Sequence, residues 1–195
     1  MTNPTEKQKE IINCAIDLIA SNGFKNLTIK KISSSIGVSE PAIYRHFKSK
    51  TEILTGILSD FREKVEKSTL DNAQFNSLKA IEKIESLVKT HFTIFSEHPE
   101  YTAILFAEEF FRGDPEIGST VSEILKRNQA TIIQIIESGQ SGRHIRKDIP
   151  ALHLSTLIMG SLRLTVTRWR MSGHKDDLVK AGNEIWEALR KMITG

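Results

Sequence analysis

The residues best suited to chemistry in this chain are the basic ones between positions 25 and 50. Six lysine and arginine side chains lie there against one acid, Glu40, whereas the whole chain carries 27 basic and 24 acidic residues. The positive charge is therefore concentrated in one short window of a nearly neutral protein. Such a patch attracts phosphate groups, and its chemistry is binding rather than bond making. A solvated basic surface is the alternative that charge alone leaves open.

Helix signals in the same window favour the phosphate-binding interpretation. Thr28 is a good N-cap for a first short helix, and Gly37 supplies the left-handed residue that ends it. A second helix is capped by Ser39 and has Pro41 in its first turn, where no N–H is needed. A capping box then starts a third helix near residue 50. Two short helices joined by a tight turn form a helix-turn-helix unit, which places one helix in a DNA groove.

Side-chain type divides the exposed residues of this unit into two kinds of DNA contact. Phosphates suit the helix start and the hydroxyl, phenol, imidazole and ammonium groups of Thr28, Lys30, Tyr44, His46 and Lys50. Base edges would be read by the exposed side of the second helix, with the candidates Ser39, Glu40, Pro41, Ala42 and Arg45. Arg45 could bind guanine, contact a phosphate, or pair with Glu40 or Glu52. Ile43 and Phe47 are expected to be core anchors.

This segment resembles the DNA-binding domain of the TetR (tetracycline repressor) family of transcriptional regulators. The resemblance lies in Thr28-Ile29-x-x-Ile32, in Gly37-Val38-Ser39, and in Ala42-Ile43-Tyr44-Arg45-His46-Phe47-x-Ser49-Lys50-x-x-Ile53-Leu54. It covers roughly the first quarter of the chain. It implies a three-helix DNA-binding domain, a backbone contact by Lys50, and a helical body that holds a small-molecule inducer.

Helical periodicity continues along the rest of the chain, and convincing strand alternation is absent. Including one helix before the basic window, at about 6–21, we expect about nine helices. Those after the window span about 50–67, 77–97, 99–112, 116–138, 150–172 and 175–192. The stretch 70–76 is interpreted as a polar linker and 139–149 as a surface loop.

We therefore predict an all-α protein with two domains. A helix-turn-helix DNA-binding domain occupies 1–50, and a long fourth helix at 50–67 connects it to the rest. A helical ligand-binding and dimerisation domain occupies 77–195.

The size of a DNA site predicts a homodimer. One helix-turn-helix unit makes too few base contacts to specify a unique DNA site. Two copies are therefore expected on a near-palindromic double-stranded DNA operator. The last two helices offer more apolar area than a small core requires, and we assign to the interface Leu154, Leu157, Ile158, Ser161, Ile185, Trp186 and Leu189. In the resembling family these helices pair with their copies as a four-helix bundle. The alternative is that they close the core of one chain.

Phenylalanine is concentrated in the middle of the chain, with five of the nine Phe residues between positions 92 and 111. Such a cluster can surround an apolar ligand or form ordinary core, and the residues alone favour core. The family resemblance favours an inducer pocket, for which the candidates are Phe92, Phe95, Phe106, Phe110, Met159, Arg163 and Trp169. Arg163 could receive a ligand carboxylate or phosphate, or pair with Glu108 or Glu109.

Several functional classes find no support in the sequence. Gly-rich phosphate loops, nucleophile elbows and metal-binding motifs are absent, so we expect no enzyme, cofactor or metal. The single cysteine excludes a disulfide framework. The N-terminus has no apolar signal core and no apolar run reaches the length of a membrane span, so we expect a cytoplasmic protein without a membrane partner.

The expected function is a repressor that an apolar or amphipathic small molecule releases from DNA. The hypothesis is a population shift in which the ligand tilts the fourth helix and changes the spacing of the two DNA-contacting helices. The sequence does not identify that inducer. A constitutive DNA-binding protein and an all-helical enzyme with a basic N-terminal domain are the alternatives.

Overall fold

A computed structural model describes residues 4–23, 26–69, 73–106 and 115–194, and within these ranges the chain forms ten helices and no strand. The helices are α1 Glu6–Asn22, α2 Ile29–Ile36, α3 Glu40–Tyr44, α4 Lys50–Thr69, α5 Ala73–Ser77, α6 Ala80–Glu97, α7 Pro99–Leu105, α8 Pro115–Ser141, α9 Ala151–Met171 and α10 Leu178–Thr194. The all-α prediction is confirmed. None of the described helices is both long and apolar enough to cross a membrane.

The chain divides into two compact units. The first unit contains residues 1–62 and 98–122, and the second contains residues 63–97 and 123–195. The DNA-binding helices therefore share a unit with α7 and the start of α8. The domain ranges 1–50 and 77–195 stay a prediction.

Local signals start and end the first helix as expected. The Thr5 hydroxyl oxygen accepts a hydrogen bond from the Gln8 N–H at 3.2 Å, and the Gln8 side chain accepts one from the Thr5 N–H at 2.9 Å. Gly23 ends α1 with a φ of 75°. Apolar residues spaced by one turn are buried along one side of the helix, namely Ile11, Ile12, Ala15 and Ile19. This side of α1 forms part of the core beneath the DNA-binding helices.

A buried hydrogen bond joins α7 to α4 within the first unit. Tyr101 is fully buried, and its hydroxyl donates to the carboxylate of Asp60. Burial raises the pKa of Tyr101, and the neighbouring Asp60 raises that pKa further, so the phenol remains a proton donor. The rings of Phe61 and His98 lie 5.3 and 5.5 Å from the Tyr101 ring, between centroids. These contacts fasten α7 to the α4 helix.

Loss of the Tyr101 hydroxyl should destabilise the first unit. We expect Tyr101→Phe to lower the free energy of unfolding by about 1–3 kcal/mol, because a part-buried carboxylate loses a donor. Urea unfolding followed by circular dichroism would measure this change. Tyr44→Phe is the matched control, since Tyr44 is 50% exposed and should change stability by less than about 0.5 kcal/mol. Equal effects of the two substitutions would contradict this role of the phenol.

In the second unit, α6 and α10 pack closely at a glycine. A Cβ atom placed on Gly182 would lie only 2.3 Å from Cδ2 of Phe92, so no larger residue fits without movement. Phe92 is 1% exposed. Because Gly182 has no side chain, the Phe92 ring can pack directly against the α10 backbone.

Two expectations about connecting segments are wrong. The predicted linker 70–76 overlaps α5, whose Phe75 is 6% exposed, because burial of that ring favours a helical turn in a polar segment. The predicted loop 139–149 begins too early, since α8 continues to Ser141. A Cβ on Gly139 would lie 2.6 Å from Cδ1 of Ile145 and 2.8 Å from Cβ of Ala80. Close packing therefore outweighs the low helix propensity of this glycine.

Candidate nucleic-acid interface and ligand region

The turn between α2 and α3 has the predicted geometry. The Thr28 hydroxyl oxygen accepts a hydrogen bond from the Lys31 N–H at 3.2 Å, which caps α2. Gly37 is left-handed, with φ 78° and ψ 32°. The N–H groups of Gly37 and Val38 both donate to the Ser33 carbonyl oxygen, at 3.0 and 2.9 Å. These hydrogen bonds fix the turn between the two helices and therefore the angle between α2 and α3.

The start of α3 differs from the expectation at Ser39. Its side chain makes no capping hydrogen bond. Pro41 has no N–H, and the Ala42 N–H donates to the Ser39 carbonyl oxygen at 2.9 Å. The first turn therefore offers the Ser39 hydroxyl no backbone donor to accept from, and this hydroxyl lies on the exposed surface.

All ten predicted DNA contacts reach the surface of the first unit. Those in the exposed class are Thr28, Lys30, Ser39, Glu40, Pro41, Tyr44 and Arg45. Those that are partly exposed are Ala42, His46 and Lys50. Ile43 and Phe47 are 0% and 5% exposed, so the prediction that they are core anchors is confirmed. Ile43 thus anchors α3 to the core while the other residues of the helix reach the surface, and Phe47 anchors the segment that follows.

Hydrogen bonds from α1 and α4 hold the segment that follows α3. The Gln8 side chain on α1 donates to the His46 carbonyl oxygen at 3.3 Å. At the start of α4, the Glu52 N–H donates to the Ser49 hydroxyl oxygen at 3.1 Å, and the Glu52 carboxylate accepts from the Lys48 N–H. The predicted Ser49 cap is present, and the carboxylate of Glu52 accepts from the N–H of Lys48, one residue before the N-cap, where a capping box would use the N–H of Ser49. These hydrogen bonds fix the position of α3 and therefore determine which of its groups can contact DNA.

The structure removes one of the three kinds of partner that the sequence left open for the Arg45 guanidinium. Within the described ranges its guanidinium forms no salt bridge, and Glu52 is engaged at the start of α4. An ion pair with Glu40 or Glu52 is therefore not found. A guanine base and a phosphate remain the two candidate partners.

The predicted ligand residues are divided between the units. In the second unit, Phe92 and Phe95 are 1% and 2% exposed on α6, and Met159 and Arg163 are partly exposed on α9. Phe106 belongs to the first unit and is partly exposed. Phe110 lies outside the described residues, as do Glu108 and Glu109, the predicted alternative partners of Arg163. The grouping of these residues into one pocket stays a prediction.

Trp169 has a structural role that the sequence did not predict. Its indole Nε1 donates to the Asp176 carbonyl oxygen at 2.9 Å, and its ring centroid lies 4.3 Å from that of His174. Both partners belong to the connection between α9 and α10. The side chain is only 6% exposed. Trp169 therefore stabilises the connection between α9 and α10. In that connection Gly173 has a positive φ of 71°.

Positive charge accompanies the apolar residues of the second unit. Burial lowers the pKa of Arg170, and repulsion from Arg163 lowers it further. The two arginines stand two turns apart on α9 and hence on one side of it. His91 on α6 is partly buried, and this desolvation lowers its pKa, although a hydrogen bond at 2.7 Å to the Leu87 carbonyl oxygen opposes the change. The α9 side chains thus present cations beside apolar groups.

Within the described residues, no group of His, Cys, Asp and Glu could hold a metal ion.

Comparison with known proteins covers nearly the whole chain. Residues 11–57 match the family described as bacterial regulatory proteins, tetR family. Residues 57–192 match the family described as YsiA-like protein, C-terminal region. The chain belongs to the TetR family. It is a ligand-responsive, DNA-binding transcriptional regulator, and the predicted family resemblance is confirmed.

Full-length relatives of this TetR-family regulator include proteins of fatty acid metabolism. The fatty acid metabolism regulator protein of Bacillus subtilis (strain 168) is 28% identical over 193 residues, which are 97% of this chain and 96% of the relative. The crystal structure of the transcriptional regulator FadR from Bacillus subtilis in complex with stearoyl-CoA aligns with a TM-score of 0.76 at 28% identity, covering 93% and 96% of the two chains.

More distant relatives share the fold. The fatty acid degradation regulator FadR from Bacillus halodurans aligns with a TM-score of 0.80 at 22% identity, covering 95% of each chain. The nucleoid occlusion factor SlmA of Aliivibrio fischeri (strain MJ11) is 24% identical over 96% of this chain and 95% of its own. These two proteins show a shared fold, and it is the family match together with the 28% identical regulator that supports a regulator rather than an enzyme.

The predicted dimer contacts of the TetR-family regulator fall into two groups. Four are already covered within the single chain, with 4% exposure or less, namely Leu154, Ile158, Trp186 and Leu189. They belong to the core, because helical periodicity marks an apolar side without showing what covers it. Leu157 is 44% exposed, and Ser161 and Ile185 are partly exposed. These three stay predicted interface residues.

Two exposed apolar residues of α9 on the same side as Leu157 were missed. Leu164 is 52% exposed and Met171 83%. On α9, Leu157, Leu164 and Met171 recur every seven residues, so they form one apolar line along the helix. That heptad spacing is the sequence signal that could have identified them.

Proposed function

We propose that this TetR-family regulator represses transcription from a near-palindromic operator as a homodimer, and that a long-chain acyl-CoA releases it. The observation that carries the proposal is the 28% identity, over 93% of this chain, to a regulator whose crystal structure contains stearoyl-CoA. We place this activity in the cytoplasm. Each step rests on residues of the described structure.

The DNA half of the proposal rests on the first unit. Ser39, Glu40, Pro41, Ala42 and Arg45 would meet base edges, and the remaining predicted contacts, Thr28, Lys30, Tyr44, His46 and Lys50, would hold phosphates. Because phosphate contacts position the protein and base contacts specify the site, both sets are needed for an operator. Two copies double the number of base contacts and impose two-fold symmetry on the DNA.

The ligand half rests on the chemistry of the second unit. An acyl-CoA has a long apolar chain and a nucleotide with several phosphates. Phe92 and Phe95 supply apolar surface, and Arg163 with Arg170 supplies guanidinium groups on α9. Guanidinium forms short, bidentate hydrogen bonds with phosphate, which suits an anionic headgroup better than an uncharged lipid.

Release from DNA would follow from a shift between conformers. A ligand changes DNA affinity only if it binds one conformer more tightly than the other. The α4 helix runs from residue 50, beside α3, to residue 69, which belongs to the second unit. A ligand-dependent change in the second unit would therefore reach the DNA-binding helices through this continuous helix.

Selection of bound sequences from a random DNA pool would test the DNA half. Purified protein at a stated salt concentration should enrich a near-palindromic site whose half-sites lie about one helical turn, or a multiple of it, apart. Recovery of a single half-site would contradict the dimeric operator. Absence of any enrichment would contradict specific DNA binding.

The apolar line on α9 predicts the effect of a charge on dimerisation. We expect Leu164→Glu to convert the dimer to a monomer at micromolar concentration, because a carboxylate would be buried without a partner. Leu152→Glu is the matched control, since Leu152 is equally exposed at 52% but lies on another side of α9. Sedimentation equilibrium would measure both. A Leu164→Glu protein that remains dimeric while Leu152→Glu dissociates would move the interface to the other side of the helix.

A further inference from the structure

Trp186 carries a buried hydrogen-bond donor without a partner. Its side chain is 0% exposed on α10. Its indole Nε1 has no hydrogen-bond acceptor among the described residues. Buried polar groups in native proteins are nearly always hydrogen-bonded, and each exception requires an explanation. Since no described residue supplies an acceptor, the donor points to a bound group that would.

The other tryptophan shows that the fold can satisfy such a group. The chain has two tryptophans. Trp169 is 6% exposed, and its Nε1 donates to the Asp176 carbonyl oxygen at 2.9 Å. The two indoles thus differ in hydrogen bonding although both are buried in the second unit. This contrast makes the unsatisfied donor of Trp186 a property of its position rather than of its residue type.

The position of Trp186 links it to the proposed ligand region. It follows Gly182 by one turn of α10 and so lies on the same side of that helix. Gly182 is the residue against which the Phe92 ring packs. Trp186 and the Gly182–Phe92 contact therefore share one side of α10.

We propose that the Trp186 N–H donates a hydrogen bond to the carbonyl oxygen of a bound acyl thioester. This inference rests on the proposed acyl-CoA ligand. The alkyl chain of that ligand has no acceptor, and its phosphates carry charge that an apolar interior would exclude. The thioester carbonyl is the neutral acceptor directly attached to the alkyl chain, whereas the amide carbonyls of the CoA arm lie farther towards the phosphates. Trp186 would thus be a specificity-determining residue that distinguishes an acyl thioester from an alkyl thioether.

A pair of matched ligands tests the hydrogen bond directly. Stearoyl-CoA and S-octadecyl-CoA have the same chain length and headgroup, but the thioether has CH₂ in place of the carbonyl. Isothermal titration should show that the wild-type protein binds stearoyl-CoA about tenfold more tightly. Trp186→Phe should reduce that ratio to about one, because it keeps an aromatic ring and removes the donor. Trp169→Phe should leave the ratio unchanged.

Proton NMR of the two indole N–H groups supplies an independent readout on the wild-type protein. Stearoyl-CoA should shift the Trp186 resonance downfield relative to S-octadecyl-CoA, with Trp169→Phe used for assignment.

The outcomes separate failure of this inference from failure of the proposed function. If the wild-type protein binds neither ligand, the acyl-CoA proposal is wrong and the inference falls with it. If it binds both ligands equally, the acyl-CoA proposal stands and the Trp186 hydrogen bond is wrong. If a folded Trp186→Phe protein keeps the wild-type preference, or if the two ligands give the same Trp186 resonance, the hydrogen bond is likewise wrong.

Discussion

Arg45→Ala should weaken binding to the selected operator by about 30-fold or more, while binding to unrelated DNA changes far less. A bidentate arginine contact with guanine contributes about 1–3 kcal/mol of base discrimination, and a dimer loses two such contacts. Fluorescence anisotropy with operator and scrambled duplexes at one salt concentration would measure both affinities. The Arg45 side chain is exposed directly after α3, so the substitution should leave the fold intact.

Two further variants determine whether Arg45 contacts a base or a phosphate. Lys50→Gln should weaken binding to both duplexes and should lower the salt dependence by about one phosphate contact for each subunit. Arg127→Ala removes an exposed arginine from α8 and should change neither affinity. If Arg45→Ala weakens both duplexes equally and lowers the salt slope like Lys50→Gln, Arg45 is a phosphate contact and the base assignment is wrong.

Phe92→Ala should lower the free energy of unfolding by about 3–5 kcal/mol, the usual cost of a large cavity in a core. The ring is 1% exposed and packs on the backbone of α10. Urea unfolding at one fixed protein concentration would measure the change, because dimerisation makes stability depend on concentration. A loss below about 1 kcal/mol would show that the site collapses freely around the missing ring.

Gly182 tests the same contact from the opposite side. Gly182→Ala should destabilise by about 1–3 kcal/mol, since the new methyl group would overlap the Phe92 ring. The double variant with Phe92→Leu should lose less than the sum of the two single losses, because the smaller side chain makes room for the methyl group. Strict additivity would mean that the two residues do not share one packed space.

Local signals account for what the sequence predicted correctly. The cap at Thr28, the left-handed Gly37 and the side-chain cap at Ser49 each act within a few residues, so their geometry follows from residue type and spacing. The burial of Ile43 and Phe47 follows from helical periodicity. For this reason the turn geometry and the exposure of the candidate DNA contacts could be predicted from the sequence, whereas their contact with DNA stays a prediction.

Long-range packing accounts for what the sequence did not predict. The hydrogen bond between Tyr101 and Asp60 joins positions 41 residues apart, and nothing local to either residue marks it. Gly139 continues a helix because of contacts with Ala80 and Ile145, although glycine usually favours a helix end. Trp186 has the periodicity of an interface residue and yet is covered by its own chain. Periodicity gives the apolar side of a helix, but only the tertiary structure shows what lies against it.

The most direct test of an acyl-CoA-responsive repressor is the operator dissociation constant measured with and without stearoyl-CoA. Fluorescence anisotropy should give a dissociation constant at least about tenfold higher with saturating stearoyl-CoA, a coupling of about 1.4 kcal/mol. Free CoA and free stearate serve as controls and should cause smaller changes. By reciprocity, operator DNA should weaken stearoyl-CoA binding by the same factor. An operator dissociation constant that stearoyl-CoA leaves unchanged would contradict the proposed function.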